Sequence, residues 1–111
     1  MTVAVISRDR EMRGVLARYL ASAGFDVHEY DELARPASFT ALVLLGDAID
    51  RVRAWMELAS APRVVVVTSR PSALRDLRAD HEDRLSVLAA PAFGWEVVDA
   101  LRGHPKDDPA A

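Results

Sequence analysis

Apolar residues along this chain recur in two alternating rhythms. Thr2–Ile6 (TVAVI) is a short β-branched run, which predicts a strand. The period then lengthens. Met12, Val15, Leu16, Tyr19 and Leu20 recur at i, i+3, i+4, i+7 and i+8, the stripe of an amphipathic helix. Asp9 suits its N-cap and Gly24 the position just past its end. Phe25–Tyr30 (FDVHEY) alternates weakly and predicts a second strand at a sheet edge, and Asp31–Phe39, broken by Pro36, holds at most a turn or two of helix. Ala41–Leu45 (ALVLL) predicts a third strand, apolar enough to be buried on both faces. Ile49, Val52, Met56 and Ala59 make a second stripe that ends before Pro62. Arg63–Thr68 (RVVVVT) is a fourth strand, and Ser72–Asp83 a polar helix with Leu74 and Leu77 on one side. Leu85–Ala89 is a short fifth strand. Gly94–Leu101 is the last helix, with Val97, Val98 and Leu101 inward and Gly103 as its stop.

Five alternations of strand and helix predict an α/β fold, a parallel sheet with helices on both faces and right-handed crossovers. Ligands in such sheets sit outside the carboxyl ends of the strands, where strand order reverses. In a flavodoxin-like order, 2-1-3-4-5, that place lies between the first and third strands. The loops there are Ser7–Glu11 (SRDRE) and Gly46–Asp50 (GDAID).

Length and charge narrow the field. At 111 residues the chain makes one domain, over residues 1–102, and the tail 103–111 (GHPKDDPAA) is polar, Pro-containing and linker-like. There is no cysteine, hence no disulfide, thiolate zinc site or thiol nucleophile, which suits the cytoplasm. The apolar runs are too short to span a bilayer, and the N-terminus lacks a signal-peptide layout. Net charge is −3 with scattered arginines, which argues against direct nucleic-acid binding. His28, His81 and His104 share no ligand spacing, and no metal or cofactor is expected. Trp55 is expected in the core; Trp95 fits either partial core packing or a protein interface.

In this order, VAVISRDREMRGVLARYLASAGFDV, ALVLLG, VVVVTS and LAAPAF resemble the receiver domain of two-component response regulators, over about residues 2–102. The resemblance implies the flavodoxin-like sheet, a shortened second helix and a cis Ala90–Pro91 bond. Receiver chemistry transfers a phosphoryl group to an aspartate beside a Mg²⁺ held by carboxylates, with a lysine and a hydroxyl nearby. Residue by residue, the acidic pair falls on Ser7 and Arg8, the phosphoacceptor on Gly46, the hydroxyl on Thr68, the lysine on Ala90 and the switch aromatic on Val87. Only the hydroxyl is kept. The resemblance therefore implies a non-catalytic pseudo-receiver with a degenerate site at Ser7, Arg8, Gly46, Asp47, Thr68 and Ala90.

Such a domain would act by contact with a protein partner or with itself, regulating a linked or partner output domain. The surface implied is the fourth helix, fifth strand and fifth helix of receivers, here Arg75, Arg78, Trp95, Asp99 and Arg102. Two alternatives stand beside it. Asp47 would serve as a phosphoacceptor displaced by one residue, although adjacent strand residues point to opposite faces, so the shift should turn it away. Or Ser7, Arg8, Thr68, Ser69 and the Gly46 amide would form a small-anion pocket. In the pseudo-receiver reading, Arg8 is expected to fill the vacated metal position and pair with Asp47 or Asp9.

Overall fold

The computed structural model describes residues 1–32, 38–58 and 62–103. Ala59, the segment expected to hold the shortened second helix around Pro36, His104 and the tail beyond it lie outside these residues. The elements are β1 (Thr2–Ile6), α1 (Arg10–Ser22), β2 (Asp26–Tyr30), β3 (Ala41–Leu45), α2 (Ile49–Met56), β4 (Arg63–Thr68), a 3-10 turn (Pro71–Leu74), α3 (Arg75–Asp80), β5 (Leu85–Ala89) and α4 (Gly94–Leu101). The strands form one parallel sheet in the order β2-β1-β3-β4-β5. This is the flavodoxin-like order, with β2 at an edge as expected.

The continuous apolar runs of β1, β3 and β4 follow from burial on both sides. Successive side chains alternate faces. Ala4, Ile6, Leu42, Leu44, Val64 and Val66 pack with Val52, Trp55 and Met56 of α2 and with Leu74 on one face. Val3, Val5, Val43, Val65 and Val67 pack with Leu20 of α1 and Val97, Val98 and Leu101 of α4 on the other. Trp55 is thus a core residue, as expected.

Local signals hold at several ends. The Asp9 carboxylate accepts from the Met12 amide at 3.0 Å and caps α1. Gly24 and Gly103 follow the ends of α1 and α4 with φ of +101° and +72°, conformations that favour glycine. The Ala90–Pro91 bond is cis. The polar helix expected over Ser72–Asp83 is shorter: Pro71 starts a 3-10 turn, which buries Leu74, and the α-helical part ends at Asp80.

The stripe expected on α1 is rotated. Leu16 and Leu20 do face the core, but Met12, Val15 and Tyr19 are 56%, 57% and 46% exposed. The inward place in the first turns belongs to Arg13 and Ala17. Arg13 is buried because its guanidinium has partners there. It donates to the Ser7 carbonyl at 2.8 Å and to Glu29 at 3.2 Å, and it pairs with Asp31. A buried charge is tolerated only when paired in this way.

Candidate functional site: the strand ends around Asp47

The site sits where β1, β3 and β4 end. The Gly46 amide donates to the Val67 carbonyl at 2.9 Å, so the ladder runs one residue past β3. Gly46 then takes φ +134°, where an L side chain is strained. This bend brings the chain back over the end of β4. The Asp47 carboxylate accepts from the Thr68 hydroxyl at 2.5 Å, the Ser69 amide at 3.0 Å and the Ser69 hydroxyl at 2.8 Å. Asp47 is therefore aimed at Thr68, and the expectation that a one-residue shift turns it away fails. Alternation of faces applies within a strand, and Asp47 lies beyond the bend that Gly46 makes as it leaves the ladder.

Both carboxylate oxygens are engaged. The Thr68 hydroxyl bond, reinforced by Ser69, holds the Asp47 carboxyl below its ordinary value of 3.8. Thr68 is engaged further: its hydroxyl oxygen accepts from the Arg70 amide at 3.0 Å, and its carbonyl accepts from the Ala90 amide at 2.8 Å. The three donors that would hold an external anion are already held by Asp47.

The other expected residues have different tasks. Ser7 is buried, and its hydroxyl accepts from the Asp9 amide at 3.0 Å, shaping the turn into α1. Arg8 points outward with its side chain 84% exposed and pairs with Glu32 at 2.8 Å. It pairs with neither Asp47 nor Asp9, so the expectation that it fills the metal position is overturned. The anion pocket built on Arg8 falls with it. The physical reason is the inward competitor Arg13: one guanidinium already satisfies the Ser7 carbonyl, and Glu32 offers Arg8 a partner in water. Sequence reasoning missed Arg13, since a charged residue at an inward position breaks an apolar stripe. Its spacing from Glu29 and Asp31 gave no signal by itself. Arg13 in turn holds the Asp31 carboxyl below 3.8, chiefly through their hydrogen bond.

Ala90 is exposed and carries no charge, and Val87 packs partly into the core. The positions that would hold a divalent cation are a buried hydroxyl, an outward arginine and a glycine. That donor set does not fit a hard cation, which takes carboxylate and carbonyl oxygens. Among the described residues no three His, Asp or Glu side chains come together as a metal cluster. A shallow cleft of about 490 Å³ opens beside Asp47, edged by Asp50, Arg51, Arg53 and Arg70.

Arg75 and Arg78 are exposed on α3, Trp95 and Asp99 are exposed on α4, and Arg102 is exposed just past its end. The two helices cover opposite faces of the sheet: α3 lies against β5, while Trp95, Asp99 and Arg102 border the groove between α4 and α1. No helix among the described residues is long and apolar enough to cross a membrane.

Neither protein-family models nor curated proteins yield a match to this sequence. Solved structures do. A response regulator from Burkholderia pseudomallei, crystallised with a phosphorylated aspartate, calcium and citrate, aligns with a TM-score of 0.67 at 19% identity, over 90% of this chain and 65% of its own. This chain thus spans just under two thirds of that protein. A response regulator from Burkholderia multivorans gives 0.63 at 18% identity, over 91% of each chain. A CheY-like response regulator from Mesorhizobium loti gives 0.62 at 19%, over 94% of this chain and 98% of its own. The likeness establishes a shared receiver fold.

Proposed function

We propose that this domain is a pseudo-receiver, a signalling module that works by protein contact without phosphorylation. One observation carries the reading: the hydroxyl that a receiver turns toward its phosphoryl group is bonded here to the domain's own carboxylate, Asp47. Around it the parts of phosphoryl transfer are missing together. Gly46 supplies no nucleophile, Ser7 and Arg8 supply no metal ligands, and Ala90 supplies no cation for the developing charge. Regulation then acts on a linked or partner output domain through exposed helix surfaces, Arg75 and Arg78 on one face of the sheet and Trp95, Asp99 and Arg102 on the other.

The aim of Asp47 at Thr68 favours a second reading, in which Asp47 is a displaced phosphoacceptor. Against it stand the occupied oxygens, the lowered basicity and the missing metal ligands. Acetyl phosphate with Mg²⁺, followed by intact mass, separates the two. The pseudo-receiver reading expects no phosphoryl adduct. An adduct that maps to Asp47 and disappears in Asp47→Asn establishes the displaced site instead.

A further inference from the structure

The rotation of α1 leaves large apolar side chains in water, and they are contiguous with others on α4. The Tyr19 ring lies under Gly94, so closely that a Cβ there would come within 2.6 Å of it. Beside Gly94, Phe93 and Trp95 stack on each other with centroids 6.3 Å apart and planes 8° from parallel, 68% and 57% exposed. A groove of about 460 Å³ runs between Tyr19, Ser22 and Ala23 of α1 and its end and Trp95, Val98 and Asp99 of α4. Exposed contiguous apolar ridges of this kind mark contact surfaces.

The charges on α1 indicate what covers the ridge. At 100° per residue, Glu11, Val15 and Arg18 share the outward stripe, with Met12 and Tyr19 on the flank toward α4. All five are exposed. Glu11 and Arg18 are seven residues apart, too far along the helix to pair with each other, and neither forms an ion pair among the described residues. The stripe therefore reads acid, apolar, base. That pattern complements itself when a second helix runs antiparallel. A two-fold axis crossing α1 between Gly14 and Val15 sets Glu11 of each copy against Arg18 of the other, twice by symmetry, with the Val15 pair between them.

We propose that the α1 face, bordered by Tyr19, Phe93 and Trp95, is a homodimer interface in which two α1 helices pack antiparallel. The inference rests on the reading of this domain as one that works by protein contact, and it names the second copy as that contact. Three half-exposed aromatics offer about 100 Å² each. Met12, Val15 and the charged rim bring the face toward the about 800 Å² per partner of a standard interface. The dimer is thus of the weak, concentration-dependent kind.

Sedimentation velocity over a concentration series tests this, with circular dichroism confirming that each variant is folded. The unmodified protein is expected to move from monomer to dimer as concentration rises. Val15→Glu should weaken the dimer about tenfold or more. Glu11→Arg and Arg18→Glu should each weaken it by setting like charges face to face, and the double exchange E11R/R18E should restore it. A monomer at every concentration overturns the proposal, and so does a dimer indifferent to Val15→Glu or a double exchange no better than the singles. None of the substituted positions belongs to the Asp47 cluster, and Trp95 and Asp99 are shared between this face and the partner surface proposed above. The phosphorylation assay therefore stands apart: an adduct at Asp47 defeats the pseudo-receiver reading whatever the dimer does.

Discussion

Gly46 and Asp47 show how one backbone angle redirects a site. With φ at +134°, Gly46 is a position where any side chain is strained. Gly46→Asp should therefore cost about 1–3 kcal/mol, measured by denaturant unfolding. It should also remain unphosphorylated by acetyl phosphate, since Ser7 and Arg8 supply no carboxylate for a metal and Ala90 supplies no cation. Asp47 and Asp31 both have folded-state pKa values below 3.8, so the unfolded chain takes up their protons first. Their contribution to stability is fully present above about pH 4 and is lost as pH falls through the lowered folded values. Stability measured between pH 2 and pH 5, both about the carboxylate range, should fall on the acid side less steeply in the double variant Asp31→Asn/Asp47→Asn than in the unmodified protein. Of these residues, the identities of Ser7, Arg8, Gly46 and Ala90 at the strand ends were legible from the sequence. The aim of Asp47 was not, because it depends on a glycine conformation that residue order does not reveal. The position of Arg8 was not legible either, because it is decided by a competing guanidinium five residues on.

Helix α1 shows why a hydrophobic stripe is an incomplete guide. Apolar residues cover more than half of its circumference, so two overlapping stripes fit the spacing, and Leu16 and Leu20 belong to the true one. Arg13 decides between them, since its three partners lie on the sheet side. Two substitutions separate the stripes. Leu20→Ala should cost about 2–5 kcal/mol as a buried truncation. Met12→Ala should change stability by no more than about 0.5 kcal/mol in dilute solution, because Met12 stands in water. Equal costs would mean that the helix is turned as its apolar spacing suggests. Gly14, in the middle of the same helix, has room for a methyl group: its nearest neighbour would be the Glu29 carboxylate at 3.9 Å. Gly14→Ala should therefore raise stability by about 0.5–1 kcal/mol, read from the urea midpoint. At the start of α4, Glu96 accepts from the Phe93 amide at 2.6 Å, but Phe93 has no side-chain acceptor to return the bond. Only half of a capping box is built there, and Phe93 is left free for the apolar ridge.

The sheet order at the level of the whole molecule follows from burial. β1, β3 and β4 are apolar and buried on both faces and form the centre, whereas β2 and β5 are largely half-buried or exposed, and these take the edges. The existence and sequence of the strands were plain in the residue pattern; their spatial order came from the resemblance of the strand ends to receivers. The core that defines the fold and the strand-end residues around Asp47 are physically separate, so the strand ends can vary while the core stays as it is. Strand interiors keep Val, Ile and Leu because each truncation there costs stability, whereas the exposed Arg8 and Ala90 lie beyond the strands and are free of that constraint. At the switch point the Thr68 hydroxyl donates to Asp47, and in the proposed reading that internal bond needs no phosphoryl group. The most direct test is to record amide NMR spectra of the protein with Mg²⁺, before and after adding beryllofluoride, which mimics a phosphoryl group on aspartate. The signals of Asp47, Thr68, Ser69 and Ala90 are predicted to stay in place. A saturable shift of those signals that requires Mg²⁺ would contradict the account, because it would show a metal-dependent phosphoacceptor at work.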